Sequence, residues 1–359
     1  MMEQNNSKLC LCGSGLLYKD CCQNKIDPTD AKMHKALMHE LEKSRRNYRK
    51  ICLHPKQHEC SKQKIHAHTI SQKAVLDLIA QNGQVLMPIM YGVDSEFKMK
   101  SLGIEADATK LYCFCAKHDA IFYPIDTRNV SINNETIFLY AYRAFAGTYY
   151  KVLREEGIYQ KLSNKYDFTK TPHIIFTHQI EKLWLSELDE CREIFDTAIL
   201  SQKYDIFKTH IIELPYRVLF AASSCFPVIF DIYGNQIKTT ADKMQMLYIS
   251  VIPDESSSRI IFSWLNRDSD VYKLLEQQLQ IVPTRFILKY LNNLLPINCE
   301  NMTIAPTLWG SWSKEAQDEF LLTADVRTNC GIRTYSWSYF EEKSYDLFQN
   351  FSAKIPLSV

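Results

Sequence analysis

The chain has 359 residues, 46% of them hydrophobic, so it can bury a sizeable core and form two larger units besides a small module. Its net charge of +1 argues against a uniformly basic nucleic-acid coat protein. No apolar stretch approaches the length of a membrane span and no apolar signal region precedes Cys10, so we expect a cytoplasmic protein with no membrane partner.

Basic charge and soft metal ligands are concentrated in the same third of the chain. Residues 1–118 contain 18 Lys and Arg against 12 Asp and Glu, a local charge of +6, whereas the remainder carries −5. The same segment holds eight of the twelve cysteines and seven of the ten histidines. Metal-binding and phosphate-binding residues are therefore expected mainly in this N-terminal third of the chain.

The first element is a short polar segment with four thiols within thirteen positions: Cys10, Cys12, Cys21 and Cys22. It has too few apolar residues to form a core, so a bound ion or covalent links must order it. Four thiolates suit one tetrahedral zinc ion, and the glycines at 13 and 15 suit the tight turn of a metal loop. Two disulfides are the alternative, disfavoured in a reducing cytoplasm.

This segment, with its Gly13-Ser14-Gly15 turn and its Tyr18-Lys19 pair, resembles the SEC-C motif, the small zinc-binding tail of the bacterial preprotein translocase motor. The resemblance covers about residues 8–23 and gives the four cysteines the four ligand positions. It implies a bacterial origin and a docking module, at residues 1–25, for a protein or nucleic-acid partner.

A basic helix follows, in a linker that we place at residues 26–50. Pro28 stops the preceding segment, Thr29 or Asp30 can cap the helix, and apolar residues recur at helical spacing up to Leu41. Its C-terminal half is rich in Lys and Arg, through Lys50. These cations either complement the helix dipole or face phosphate groups, and the sequence leaves both alternatives open.

A second group of metal ligands occupies residues 51–130. It contains Cys52 and Cys60, then His66 and His68, and then a Cys113-Phe114-Cys115-Ala116-Lys117-His118-Asp119 run. A Cys-x7-Cys knuckle with a distant Cys-x-x-His is a plausible treble-clef zinc site. The histidines at 54 and 58 are expected to be exposed residues of the knuckle.

Residues 51–126 resemble the ββα core of the HNH nucleases. The Ala67-His68-Thr69-Ile70 stretch looks like the first-strand signature, and the run from His118 to Phe122 resembles the helix signature. The resemblance implies that His68 is the general base and that His118, with Asp119, holds Mg2+ or Mn2+ against the scissile phosphate.

Two models of this region compete. In the structural model, Cys52, Cys60, Cys115 and His118 close a zinc site and no catalysis follows. In the catalytic model, Cys113 replaces His118 in the zinc site, which leaves His68 and His118 for a second, open metal. The sequence does not choose between them.

The remainder, residues 131–359, is predicted to be a mixed helix-plus-sheet body. Two long helices are expected over about 133–162 and 177–203, then β-rich runs at Arg217–Tyr233, Met246–Pro253 and Arg259–Leu265, then a helix over 270–295 broken near Pro283. The whole is an α+β protein with two zinc-stabilised N-terminal modules.

The leading functional hypothesis is a zinc protein that acts on DNA or RNA as an HNH-like endonuclease. A non-catalytic adaptor for protein or nucleic-acid partners is the alternative. A third class is an enzyme whose site lies wholly in residues 130–359, where no nucleotide-binding loop or hydrolase elbow occurs.

Overall fold

The computed structural model describes residues 8–91, 96–237, 243–325 and 342–349. Parts of the predicted N-terminal module and of the predicted C-terminal body lie outside these ranges, and the predicted domain boundaries stay predictions. The chain forms two compact units. Unit 1 consists of Met1–Arg49, Met90–Glu96 and Tyr149–Leu188, and unit 2 consists of Lys50–Ile89, Phe97–Thr148 and Asp189–Val359.

Unit 1 is built mainly from helices. It contains α1 (Tyr18–Cys21), α2 (Ala31–Arg46), residues 149–163 of α5 (Asn134–Ser163) and residues 172–188 of α6 (Pro172–Ser201). Asp30, one of the two caps that the sequence allowed, caps α2 by accepting hydrogen bonds from the main-chain N–H groups of Lys32 and Met33. Buried apolar side chains of α2, of the end of α5 and of the following turn form the core: Leu37, Ile158, Leu162, Tyr166 and Phe168.

Unit 2 begins with a small two-stranded sheet. Strands β1 (Lys64–His68) and β4 (Lys110–Cys115) pair antiparallel, with Lys64 opposite Cys115 and His68 opposite Lys110. Between them lie a π-helical turn over Gln72–Leu76 and α3 (Asp77–Ile79). Strand β4 leads directly into α4 (Ala116–Asp119), so the end of one strand and the start of one helix are held together.

A seven-stranded sheet forms the larger part of unit 2, in the order β3-β2-β9-β6-β7-β8-β5. The pairs from β2 through β9, β6, β7 and β8 to β5 are antiparallel. Its strands are β2 (Gln84–Tyr91), β3 (Glu96–Gly103), β5 (Phe207–Leu214), β6 (Phe220–Pro227), β7 (Met246–Pro253), β8 (Ser258–Leu265) and β9 (Met302–Ile304).

Four further helices accompany this sheet: α7 (Ser269–Ile281), α8 (Thr284–Asn298), α9 (Pro306–Ser311) and α10 (Lys314–Ala324). Side chains of β6, β7 and β8 are almost all buried, so both faces of these central strands are covered. The mixture of helices with a largely antiparallel sheet confirms the predicted α+β class.

Candidate metal centres

The first candidate centre lies in unit 1, in a loop that closes on itself. Leu9 forms an antiparallel bridge with Leu17, and the N–H of Cys10 donates to the carbonyl of Leu16 at 2.7 Å. The turn between them passes through Gly13 and Gly15, whose φ angles of +80° and +75° are costly for other residues. Helix α1 then places Cys21 and Cys22 beside Cys10 and Cys12.

The four thiols of this loop converge. The Sγ atoms of Cys10, Cys12, Cys21 and Cys22 all lie within 4.8 Å of one another. The Cys12–Cys21 separation is 3.4 Å and the Cys21–Cys22 separation is 3.6 Å. Two sulfurs on one tetrahedral zinc ion are about 3.8 Å apart, so the thiols already have nearly the spacing that zinc requires. The cysteines of the described residues are all free thiols.

The thiols of this centre differ in acidity. Burial raises the pKa of Cys12, but hydrogen bonds from Ser14 and from the neighbouring thiols outweigh it and bring that pKa down to about 7. Burial raises the pKa of Cys10 to about 11 and that of Cys22 further still. Cys12 is therefore the most acidic of these three thiols, and zinc binding must release the protons that Cys10 and Cys22 hold at neutral pH.

The second candidate centre lies in unit 2 and joins three parts of the chain. Cys52 and Cys60 flank a short 3-10 helix over Gln57–Glu59, Cys115 ends β4, and His118 lies on α4. The Nδ1 atom of His118 is 3.4 Å from Sγ of Cys52, 3.5 Å from Sγ of Cys60 and 3.4 Å from Sγ of Cys115. A nitrogen and a sulfur on one tetrahedral zinc ion are about 3.6 Å apart, so this donor set fits zinc.

Cys113 is not part of this centre in the described structure. Its Sγ atom contacts the main-chain carbonyl of Leu111 at 4.0 Å, and burial raises the pKa of its thiol well above the usual range. Cys115, in contrast, is the residue before α4, where the backbone leaves the strand. Burial raises its pKa, but hydrogen bonds from Ser61 and from the N–H of His118 lower it to about 6.

The surroundings of the second centre orient its imidazole. The ring of His54 stacks on the ring of His118 with centroids 3.9 Å apart and planes at 9°. His54 is only 8% exposed, so the prediction of an exposed knuckle residue is wrong for His54, whereas the His58 side chain is 80% exposed. The Lys117 ammonium forms an ion pair of 2.6 Å with Glu59, which joins α4 to the knuckle.

The two other residues predicted to be catalytic lie outside both clusters. His68 donates a hydrogen bond from Nε2 to the carbonyl of Ile104 at 3.0 Å, and burial lowers its pKa, so the ring is neutral at pH 7. The buried Oδ1 of Asp119 has no hydrogen-bond partner within the described ranges. The two groups of potential metal ligands found among the described residues contain neither side chain.

One partly buried ion pair beside this region, Asp126–Arg143, was not predicted from the sequence. Both terminal nitrogens of Arg143 donate to the carboxylate of Asp126 at 2.8 Å, and the Arg143 guanidinium also lies 4.3 Å from the ring centre of Phe122. No motif marks the pair, since Arg143 lies within the apolar stripe of α5. Burial raises the pKa of Asp126, but the Arg143 charge outweighs this effect and holds that pKa below the usual range.

Comparison with known proteins adds one assignment. The SEC-C motif model matches residues 7–24, which contain all four thiols of the first centre. No curated protein and no solved structure matches the chain. The match ends at residue 24, so the resemblance of residues 51–126 to HNH nucleases stays a prediction.

In the described parts of the chain, no helix combines the length and the apolar character needed to cross a membrane. The clusters at the two centres are consistent with zinc.

Proposed function

We propose that this protein is a non-catalytic, zinc-containing adaptor. Both metal centres would be closed structural sites that hold recognition surfaces in place. The observation that carries this proposal is the position of the His118 Nδ1 atom, 3.4–3.5 Å from three thiols. A zinc ion held there would have four protein ligands and no open position for water or phosphate.

The proposed docking surface for a partner is the outside of the SEC-C loop. Leu9, Leu11 and Leu16 are 65%, 59% and 52% exposed, although leucine is usually buried. The exposed cations Lys8 and Lys19 lie beside these leucines in sequence, with one exposed carboxylate at Asp20. This combination suits a protein partner that presents apolar side chains with acidic residues around them.

The test combines zinc content with cleavage. We expect the purified protein to hold two zinc ions, one for each ligand group, and to leave plasmid, linear and single-stranded nucleic acids intact with added Mg2+ or Mn2+. The decisive variant is His118→Cys, which keeps four zinc ligands but removes the imidazole. We expect it to retain both zinc ions and the native fold.

Metal-dependent cleavage that disappears in both His68→Ala and His118→Cys would overturn the adaptor proposal in favour of the HNH-like endonuclease.

A second experiment tests the docking surface. The triple variant Leu9→Ser, Leu11→Ser and Leu16→Ser should lose a cross-linked partner that the parent retains. The matched control replaces three exposed apolar residues of unit 2, Leu274, Ile281 and Phe286, with serine.

A further inference from the structure

A cleft in unit 1, separate from both metal centres, lies between the C-terminal half of α2 and the C-terminal half of α5. Its volume is about 540 Å³, which is within the range of small-molecule binding sites. The lining lies on α2, on residues 47–49 directly after it and on α5, and it includes Glu40, Lys43, Tyr48, Arg49, Gly157 and Lys161.

The lining is strongly basic. Lys43, Arg49 and Lys161 are exposed and form no ion pair within the described ranges. The one carboxylate of the lining, Glu40, pairs with Lys165 outside it, and the hydrogen bond from Lys165 is the main reason that the pKa of Glu40 is lowered. The cleft therefore has three exposed cations that form no ion pair among the described residues, although the Glu40 carboxylate attracts Lys161 at longer range.

A neighbouring ion pair occupies one of the acidic side chains of α5, the helix that faces α2 across the cleft. Arg45 donates from Nε and Nη2 to Glu155 at 2.9 and 2.7 Å, beside the cleft and not within it. Glu155 of α5 is thus paired with an arginine that does not line the cleft. Lys43, Arg49 and Lys161 are therefore available to an anion from outside the chain.

An aromatic ring is fixed in the same cleft. The hydroxyl of Tyr48 donates to the carbonyl of Leu153 at 3.0 Å, and its ring packs edge-on against Tyr150 at 5.9 Å. A Cβ atom at Gly157 would lie 3.2 Å from the Tyr48 hydroxyl, so glycine at 157 allows the ring to approach α5 closely. The half-buried ring is held in place before any ligand arrives.

We infer that this cleft binds the phosphate groups of single-stranded nucleic acid. Proteins that hold single strands combine cations along the backbone with an aromatic ring against a base, and the cleft contains both. The Arg49 guanidinium also lies 5.9 Å from the Tyr48 ring centre, so a cation for phosphate and an aromatic ring for a base are adjacent. This inference does not depend on the adaptor proposal, since the cleft contains no zinc ligand.

The experiment measures fluorescence anisotropy of a labelled single-stranded RNA or DNA of about twelve nucleotides with the zinc-loaded full chain. The test variant is Lys43→Glu with Lys161→Glu. The matched control is Lys208→Glu with Lys273→Glu, which makes the same charge change at two exposed lysines of unit 2. Zinc content and circular dichroism verify that each variant is folded, and Arg49→Gln is a milder second variant.

We expect the dissociation constant to rise at least about tenfold in the test variant and less than about threefold in the control. The dependence of log K on log salt should also become shallower by about 1.4 in the test variant, or about 0.7 for each lysine lost. Equal weakening in both double variants, or no binding by the parent at low salt, would overturn the inference.

Competitors identify the source of the phosphate. Unlabelled strand should displace the probe, whereas AMP should displace it only at much higher concentration. Displacement by AMP at the same nucleotide concentration would assign the cleft to free nucleotides and overturn the choice of a strand. Displacement by polyglutamate at equal charge would show a site for any polyanion and would also overturn the inference.

Discussion

The hydroxyl of Tyr18, the first residue of α1, donates a hydrogen bond of 2.7 Å to the buried carboxylate of Asp167, a residue 149 positions later in the chain. Beside it, the N–H of Ile26 donates to the carbonyl of Lys165 at 3.0 Å, and the N–H of Asp167 donates to the carbonyl of Ile26 at 2.8 Å. A side-chain bond thus joins the SEC-C segment to the rest of unit 1, and main-chain bonds of Ile26, just after the segment, reinforce it.

Removing this hydrogen bond should destabilise unit 1. Tyr18→Phe leaves the buried Asp167 carboxylate without one of its donors, which costs about 1–2 kcal/mol of the free energy of unfolding. Denaturant unfolding with zinc present measures the loss. Tyr123→Phe, at a residue that is 70% exposed, is the control and should change stability by less than about 0.5 kcal/mol. Equal effects of the two substitutions would show that the Tyr18–Asp167 bond contributes nothing.

Zinc stoichiometry should distinguish the two ligand sets of the second centre. Cys115→Ser removes one of its four donors, so zinc content should fall by one ion per chain. Cys113→Ala leaves those donors intact and should leave the zinc content unchanged, although it costs packing energy in the core. Elemental analysis after gel filtration measures both. If Cys113→Ala lost an ion and His118→Ala did not, the four-cysteine set of the catalytic model would be correct.

The Asp126–Arg143 pair should make stability depend on pH. The folded-state pKa of Asp126 is held below its usual range, so the unfolded chain binds this proton more readily. The stabilisation is complete above the ordinary carboxyl pKa and is lost as pH falls through the folded-state value. Asp126→Asn should cost about 3 kcal/mol at pH 7, because it leaves a buried guanidinium without its counterion.

The difference in unfolding free energy between parent and Asp126→Asn should therefore be constant from pH 7 down to about 4, the ordinary carboxyl pKa, and should narrow as the pH falls further. Both proteins share any loss of zinc in acid, so the difference in unfolding free energy isolates this carboxylate. A difference that does not narrow below about pH 4 would contradict the assignment.

Chelation should loosen the chain locally at the metal centres. The core of the SEC-C segment consists of Tyr18 and the four thiols, which is too little to order a loop without an ion. Hydrogen exchange after treatment with a strong chelator should speed up at the amides of Cys10 and Cys22. The paired strands β6 and β7 should keep their protection. Unchanged exchange at Cys10 after verified zinc removal would show that the loop is ordered without metal.

The sequence predicted those elements whose pattern is local. Strand β7 begins and ends at the predicted residues, and the break between α7 and α8 falls at Pro283. Strand β5 was missed because it is an edge strand with exposed positions, and only its pairing with β8 defines it. The four ligands of the first centre could be predicted for the same reason, since all four lie in one short segment.

The second centre could not be completed from spacing alone. Cys113 and Cys115 both lie in β4, and alternation along a strand would place their side chains on the same face. The choice between Cys113 and His118 depends on where the backbone turns, which is at Cys115, and on tertiary contacts of residues 50–60 with β4. Neither of these is encoded in the distance between the cysteines.

The bond between Tyr18 and Asp167 also has a consequence for synthesis on the ribosome. At about 5–20 residues per second, roughly 7–30 s pass between the translation of these two residues. During that interval a bound metal ion can order the four thiols, whereas Tyr18 does not yet have its hydrogen-bond partner Asp167. A zinc ion bound early would therefore order the SEC-C loop before the rest of unit 1 has been made.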